Sequence, residues 1–156
     1  MHIWGDDRPY NSYAAYFKRL FGGRVQKVAV NAGFTCPNID GTCGTGGCIY
    51  CSARGSGDFS PEASMSLSEQ YRVQTERITE KWDTPRFIPY LQAHTNTYAP
   101  AEILREKFYA ALAQDGVVGM NIATRADCLA PEVLALLSEL AEKTRAELAD
   151  LDDLDI

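Results

Sequence analysis

Strands and amphipathic helices alternate three times along this chain, and this alternation constrains the fold more than any other feature. Short apolar runs at residues 27–30, 87–92 and 117–123 have the length and content of buried strands. Apolar residues spaced three and four apart follow each run. Strands joined through helices pair in parallel with right-handed crossovers. The chain is therefore predicted to be an α/β protein with a parallel sheet, preceded by a helix over residues 11–21.

The predicted helices carry recognisable start signals. Ser66 and Glu69 have the spacing of a capping box, in which each side chain accepts a hydrogen bond from a free backbone amide of the other residue. Pro100 and Pro131 suit the first turn of a helix, where a missing N–H group costs little. These signals predict three helices, the last of which extends to about Leu148.

The loops after the three predicted strands are residues 31–61, 93–99 and 124–130, and they hold the least generic residues of the sequence. In parallel α/β folds the loops at the carboxyl ends of strands carry the chemistry. The first loop is long for a compact domain, and such loops are usually functional or ordered by a ligand. An active site is therefore expected where these loops meet.

Four of the five cysteines fall within residues 36–51. The N-terminus has no export signal, so we expect a cytoplasmic protein whose cysteines are metal ligands or free thiols. Eleven residues separate Cys36 from Cys48, and two separate Cys48 from Cys51. Three thiolates on a four-iron cluster leave one iron free for an external molecule, although thiolates suit zinc equally well. The alternative is a zinc-stabilised binding module that uses Cys36, Cys43, Cys48 and Cys51 as ligands.

The charge and hydropathy of the chain weigh against two classes of partner. The formal net charge is -6 and the pI is about 4.9, which disfavours binding of nucleic acid through its phosphates. The apolar runs are much shorter than a membrane-spanning helix, so no membrane attachment is expected.

The cysteine-rich stretch AGFTCPNIDGTCGTGGCIYCSARGSGDF closely resembles the cluster-binding loop of the uncharacterised YhcC-like family of radical S-adenosylmethionine (SAM) proteins, which is related to the elongator-type radical SAM domain. Two more segments, at residues 92–100 and 123–129, resemble that family after the second and third strands. The resemblance covers about residues 3–143, and three separated motifs in order are more specific than any one of them.

The resemblance implies that Cys36, Cys48 and Cys51 hold a [4Fe–4S] cluster and that SAM chelates the iron without a protein ligand. It implies an enzyme that cleaves SAM reductively to methionine and a 5′-deoxyadenosyl radical, with an electron donor such as flavodoxin or ferredoxin. It does not identify the substrate or a catalytic side chain. Related proteins act on RNA, but the acidic balance of this chain gives a nucleic-acid substrate no support.

The resemblance also implies a cofactor-binding group. Gln92, Thr95 and Asn96 are expected near the SAM amino group, and capping of the strand end is the alternative role for each. Tyr50 stands where the family has an aromatic residue and is expected to pack against a bound planar group or to shield the metal. Arg125 is expected to contact SAM or the substrate, or to close the third loop through a salt bridge to Asp127.

Four positions depart from the family pattern. Cys43 stands where a cysteine is unusual and is interpreted as a bystander thiol. Ile39 replaces a usual Arg, His94 a usual Tyr, and Ala126 a usual Pro. His94 is interpreted as a polar residue of the rim.

The resemblance implies a partial (β/α)6 TIM-like barrel, of which three βα units supply the first half. We expect an N-terminal segment with a helix at residues 1–23, a truncated core at 24–143 and an acidic tail at 144–156. The expectation is that the chain is a fragment or a truncated gene product, whose activity alone the sequence does not establish.

Overall fold

The computed structural model describes residues 2–152, with the side chains of residues 2–149. Within this range the protein is a mixed α/β structure with a three-stranded sheet and four α-helices. In chain order the elements are α1 (Tyr13–Phe21), β1 (Val25–Val30), α2 (Leu67–Thr79), β2 (Arg86–Leu91), α3 (Ala101–Leu112), β3 (Asn121–Ile122), a 3-10 turn (Ala126–Cys128) and α4 (Pro131–Asp152).

The strands form a parallel sheet in the order β1-β2-β3, which confirms the predicted α/β fold with a parallel sheet. β1 and β2 pair over their full lengths, from Val25 opposite Arg86 to Val30 opposite Leu91. The carboxyl ends of the strands therefore lie at one edge, as a site built from the following loops requires.

The third strand is much shorter than the predicted run of residues 117–123. Phe87 exchanges backbone hydrogen bonds with Gly116 and Val118, and pairing resumes at Tyr90 opposite Asn121, followed by a hydrogen bond from the Ala123 amide to the Leu91 carbonyl. Odd-numbered residues of β2 therefore direct their backbone groups toward β3, and Pro89 is one of them. Because proline has no N–H group to donate, the rung at this position is missing and the chain separates there.

Helices cover one face of the sheet. Val28 and Val30 of β1 and Phe87 and Leu91 of β2 point to that face and are at most 7% exposed. Alternate residues of a strand face opposite sides, which explains their spacing. The helical side chains that complete this core come from α2, α3 and α4 and include Tyr71, Leu104, Phe108, Ala111, Val133, Leu136 and Leu140.

The opposite face of the sheet carries a smaller cluster near the amino-terminal ends of the strands. Val25, Ile88 and Val118 form its buried centre, and Phe17 and Phe21 of α1 pack against it. The first helix therefore lies across the face opposite the main core.

Of the predicted capping box, the structure shows the serine bond at the start of α2. The Ser66 hydroxyl accepts a hydrogen bond from the Glu69 amide at 3.2 Å. One turn later, Gln70 is fully buried and its side chain bonds the backbone N–H and C=O of Asn31, at 2.8 and 2.9 Å. The same amide donates to the Met65 carbonyl at 3.0 Å. Gln70 therefore fixes the beginning of the cysteine loop to α2.

The fourth helix runs into the segment expected to be an acidic tail. It continues to Asp152, and Leu148 packs against the smaller cluster. The remainder of that segment, residues 153–156, lies outside the described residues. In the described part of the chain no helix combines the length and apolar character needed to cross a membrane.

Candidate functional site

A cavity of about 400 Å³ opens at the carboxyl edge of the sheet. The cysteine loop and the loops after β2 and β3 all contribute to its wall, as expected from the topology. Its volume is within the range of about 300–1,000 Å³ that is usual for ligand and cofactor sites. We call it the rim cavity.

Cys36, Cys48 and Cys51 all line the rim cavity. Backbone hydrogen bonds shape the loop around them: the Cys51 amide donates to the Cys48 carbonyl at 2.9 Å, and the Ile39 amide donates to the Cys36 carbonyl at 2.8 Å. The tight turn from Cys48 to Cys51 turns both thiols toward the same space. All three are free thiols.

Each of the three sulfurs lies next to a polar group. The Asn38 side-chain amide donates to Cys48 Sγ at 3.0 Å, and the Ser56 hydroxyl lies 3.4 Å from Cys51 Sγ. Arg125 Nη1 donates to Cys36 Sγ at 3.8 Å. Hydrogen-bond donors stabilise a thiolate, which is the form of cysteine that binds metals.

The electrostatic surroundings of Cys36 favour its thiolate. Burial raises the pKa of this thiol, but hydrogen bonds from the Thr95 side chain, the Asn38 backbone amide and Arg125 outweigh burial and lower the pKa below its ordinary value. Cys128 shows the reverse, because burial and then the neighbouring Asp127 carboxylate raise its pKa. The donors therefore single out Cys36 as a better metal ligand than Cys128.

Tyr50 lines the rim cavity between two of the cysteines and is 84% exposed. The neighbouring Cys48 raises the pKa of Tyr50 above its ordinary value, through hydrogen bonding and then through charge. The ring is therefore free to cover a group bound at the thiols.

Two glycines allow the cysteine loop to lie directly against the end of β2. A Cβ atom on Gly55 would lie 2.3 Å from His94 Nδ1, and one on Gly57 would lie 2.7 Å from the Ala93 Cβ. Gly55 also has a φ of +62°, which residues other than glycine rarely adopt. The wall of the cavity on this side depends on these missing side chains.

His94 is part of this wall and has an unusual conformation for a residue with a side chain. Its φ is +61°, and its amide donates to the Gly55 carbonyl at 2.9 Å. Its Nδ1 is buried and has no hydrogen-bond partner within the described residues. Its position on the cavity agrees with its interpretation as a rim residue.

The predicted cofactor-binding residues after β2 divide into two groups. Gln92 and Thr95 line the rim cavity. Asn96 lies behind the wall, fully buried, and its side chain donates to the carbonyls of Ala93 at 3.0 Å and Ala123 at 3.3 Å. It therefore holds the ends of β2 and β3 together, which is the capping role considered for it.

Cys43 lies apart from the other cysteines of the loop. It is exposed and lines a different cavity of about 500 Å³, together with Tyr98 and Cys128. Within residues 2–149, no three His, Cys, Asp or Glu side chains converge as ligands for a single metal ion.

The sequence analysis missed Asn38 and Ser56 as neighbours of the sulfurs. Asn38 follows Cys36 by two residues and Ser56 follows Cys51 by five, but side chains so common in turns carry no distinctive signal. The predicted salt bridge in the third loop is present, with Arg125 Nε and Nη2 donating to Asp127 at 2.9 and 2.6 Å. These bonds lower the pKa of Asp127 to about 2.

The chain is similar to known proteins whose names state no function. The chain is 48% identical over 138 residues to the uncharacterised protein YtqA of Bacillus subtilis, covering 88% of the chain and 43% of YtqA. It is 35% identical over 135 residues to protein YhcC of Escherichia coli K12, covering 85% of the chain and 42% of YhcC.

An uncharacterised protein of Methanocaldococcus jannaschii is 35% identical over 143 residues, covering 90% of the chain and 42% of that protein. The chain thus spans less than half the length of each of these relatives. No family model and no solved structure matches it.

Proposed function

We propose that this chain is the cluster-binding part of a radical SAM enzyme, with a [4Fe–4S] cluster on Cys36, Cys48 and Cys51. The observation that carries the proposal is that three free thiols line one cavity at the carboxyl edge of a parallel sheet. Soft thiolate ligands are the usual ligands of iron–sulfur clusters.

The donor set supports a cluster at this position. A polar group lies within hydrogen-bonding distance of each of the three sulfurs, and the pKa of Cys36 is below its ordinary value. Three protein ligands would leave one iron open to SAM. When bound, the cluster supplies the electron that cleaves SAM to methionine and a 5′-deoxyadenosyl radical.

The polar wall of the cavity supports SAM as the second cofactor. Gln92 and Thr95 would orient polar atoms of the ligand from the end of β2, and Tyr50 would cover the site from the opposite side. Asn96 would act indirectly, by holding the loop that carries Thr95 against the end of β3. Exclusion of water by these residues would protect a reactive intermediate.

A feature beside the outer edge of the described sheet favours a larger barrel. An apolar groove of about 620 Å³ runs beside β3 and is lined by Leu20 of α1, Met120 and Ile122 beside and within β3, and Leu137 and Leu140 of α4. Apolar grooves of this kind are usually covered by other protein. We propose that further βα units pack there to complete a partial (β/α)6 TIM-like barrel, which agrees with the greater length of the relatives.

Anaerobic reconstitution of the purified chain with iron and sulfide tests the proposal. A brown protein with about four irons is expected, and SAM with a strong reductant should then yield 5′-deoxyadenosine if this part of the enzyme is active alone. Replacing Cys36, Cys48 or Cys51 by alanine should abolish iron uptake, whereas Cys43→Ala should retain it.

The zinc alternative gives the opposite pattern. A colourless protein that binds one zinc, and that loses it in the Cys43→Ala variant, would establish the four-cysteine site instead. Failure of the wild-type chain to take up either iron or sulfide would refute the cluster.

A further inference from the structure

Arg125 connects the third loop to the cysteine loop across 89 positions of sequence. It directly follows Thr124 at the carboxyl edge of the sheet, and its side chain reaches the rim cavity. Its Nη1 lies 3.8 Å from Cys36 Sγ, within hydrogen-bonding distance for sulfur. The side chain is 28% exposed, so water screens this contact only in part.

Asp127 holds the guanidinium group in one orientation. It accepts hydrogen bonds from Nε at 2.9 Å and from Nη2 at 2.6 Å, which occupy one side of the planar group. Paired bonds between arginine and a carboxylate are strong and fix the plane of the guanidinium. Because Asp127 occupies Nε and Nη2, Nη1 is left to donate to Cys36.

One of the donors at Cys36, Arg125, differs in charge from the side chains beside the other two thiols. Asn38 and Ser56 are neutral, whereas Arg125 brings a positive charge to the sulfur. Hydrogen bonds to ligand sulfurs and the local net charge are among the factors that set the reduction potential of an iron–sulfur cluster.

We propose that Arg125, held by Asp127, is a positioning residue that donates a charged hydrogen bond to the Cys36 ligand and raises the reduction potential of the cluster. This inference rests on the proposed function. A positive donor favours the reduced cluster because reduction adds one negative charge to the iron–sulfur unit. The salt bridge therefore does more than close the third loop.

A redox titration of the reconstituted protein, followed by EPR without SAM, tests this role. Arg125→Gln should make reduction about tenfold less favourable, a shift of about 59 mV to lower potential for one electron. Arg125→Lys keeps a charge but not the planar pair, so it should show a smaller shift.

Arg105 provides the matched control. It makes a two-bond ion pair with Glu139 between α3 and α4, remote from the rim cavity, with one N–O distance of 2.7 Å. Arg105→Gln removes the same kind of group and should leave the potential unchanged. Iron and sulfide contents measured for every variant show whether the compared clusters are equivalent.

The outcomes separate the two proposals. If the wild-type chain takes up no cluster, the proposed function fails and this inference fails with it. If the wild type holds a cluster and Arg125→Gln matches Arg105→Gln, only the role of Arg125 is overturned. If Arg125→Gln cannot hold a cluster, Arg125→Lys decides, and a potential equal to that of the control would overturn the role.

Discussion

Replacing Gly55 by alanine tests whether the close contact between the cysteine loop and the end of β2 builds the cavity wall. The new Cβ would lie 2.3 Å from Nδ1 and 2.5 Å from Cγ of His94, so the whole ring would have to move. Overpacking of this kind costs about 1–3 kcal/mol. The left-handed backbone at φ +62° adds roughly 1–2 kcal/mol for a residue with a side chain.

We therefore expect Gly55→Ala to lower the free energy of unfolding by roughly 2–5 kcal/mol, the sum of these two costs. Gly41 offers a matched control, because its φ is also positive, at +94°, and nothing lies within 4 Å of the place that a methyl group would take. Gly41→Ala should lose only the backbone cost. Urea denaturation of the metal-free protein, followed by circular dichroism, measures both values.

A double-mutant cycle with His94→Gly isolates the clash. Removing the ring should recover about 1–3 kcal/mol of the loss caused by Gly55→Ala, whereas the same cycle with Gly41→Ala should show no coupling. Equal losses for Gly55→Ala and Gly41→Ala, or no coupling to His94, would show that the loop does not pack against β2 in this way.

Two further predictions concern groups outside the cavity. Gln70→Leu should lower the free energy of unfolding by about 2–4 kcal/mol in urea denaturation, because the half-buried N–H and C=O of Asn31 lose their partners. Hydrogen bonds from Arg105 lower the pKa of Glu139 to about 2. A carboxyl group whose pKa is lowered by folding stabilises the folded state at pH values above its pKa in the unfolded chain, and this stabilisation is lost as the pH falls. Glu139→Gln should therefore be less stable than the wild type at pH 7. The two stability curves should converge between about pH 4.5 and pH 2, and a constant difference across that window would contradict the ion pair.

Short-range sequence features predicted the parallel α/β organisation well. The capping serine at position 66 and the apolar runs of the first two strands act within a few residues, so they can be identified without knowledge of the fold. The third strand was predicted too long because its pairing depends on a neighbouring strand and not on local sequence. Pro89 disrupts pairing only because its side of β2 faces β3, and no local pattern gives that orientation.

Part of the candidate site could likewise be predicted from local sequence, and part could not. The spacing of Cys36, Cys48 and Cys51 indicated a shared site, and all three line one cavity. The separation of Cys43 from them was expected only from a resemblance, because spacing alone allowed it as a fourth ligand. Its position on a different cavity follows from the path of the loop.

The order of the strands and helices along the chain, and the edge of the sheet at which the thiols lie, follow from periodicity, caps and the rules of parallel pairing. The side chains that surround each sulfur could be identified only in the folded protein. Arg125 reaches Cys36 from 89 positions away, and Asn96 turns from the cavity to join two strand ends. Such contacts depend on where separate loops lie in the folded protein, and the packing of the whole chain, not any one segment, sets those positions.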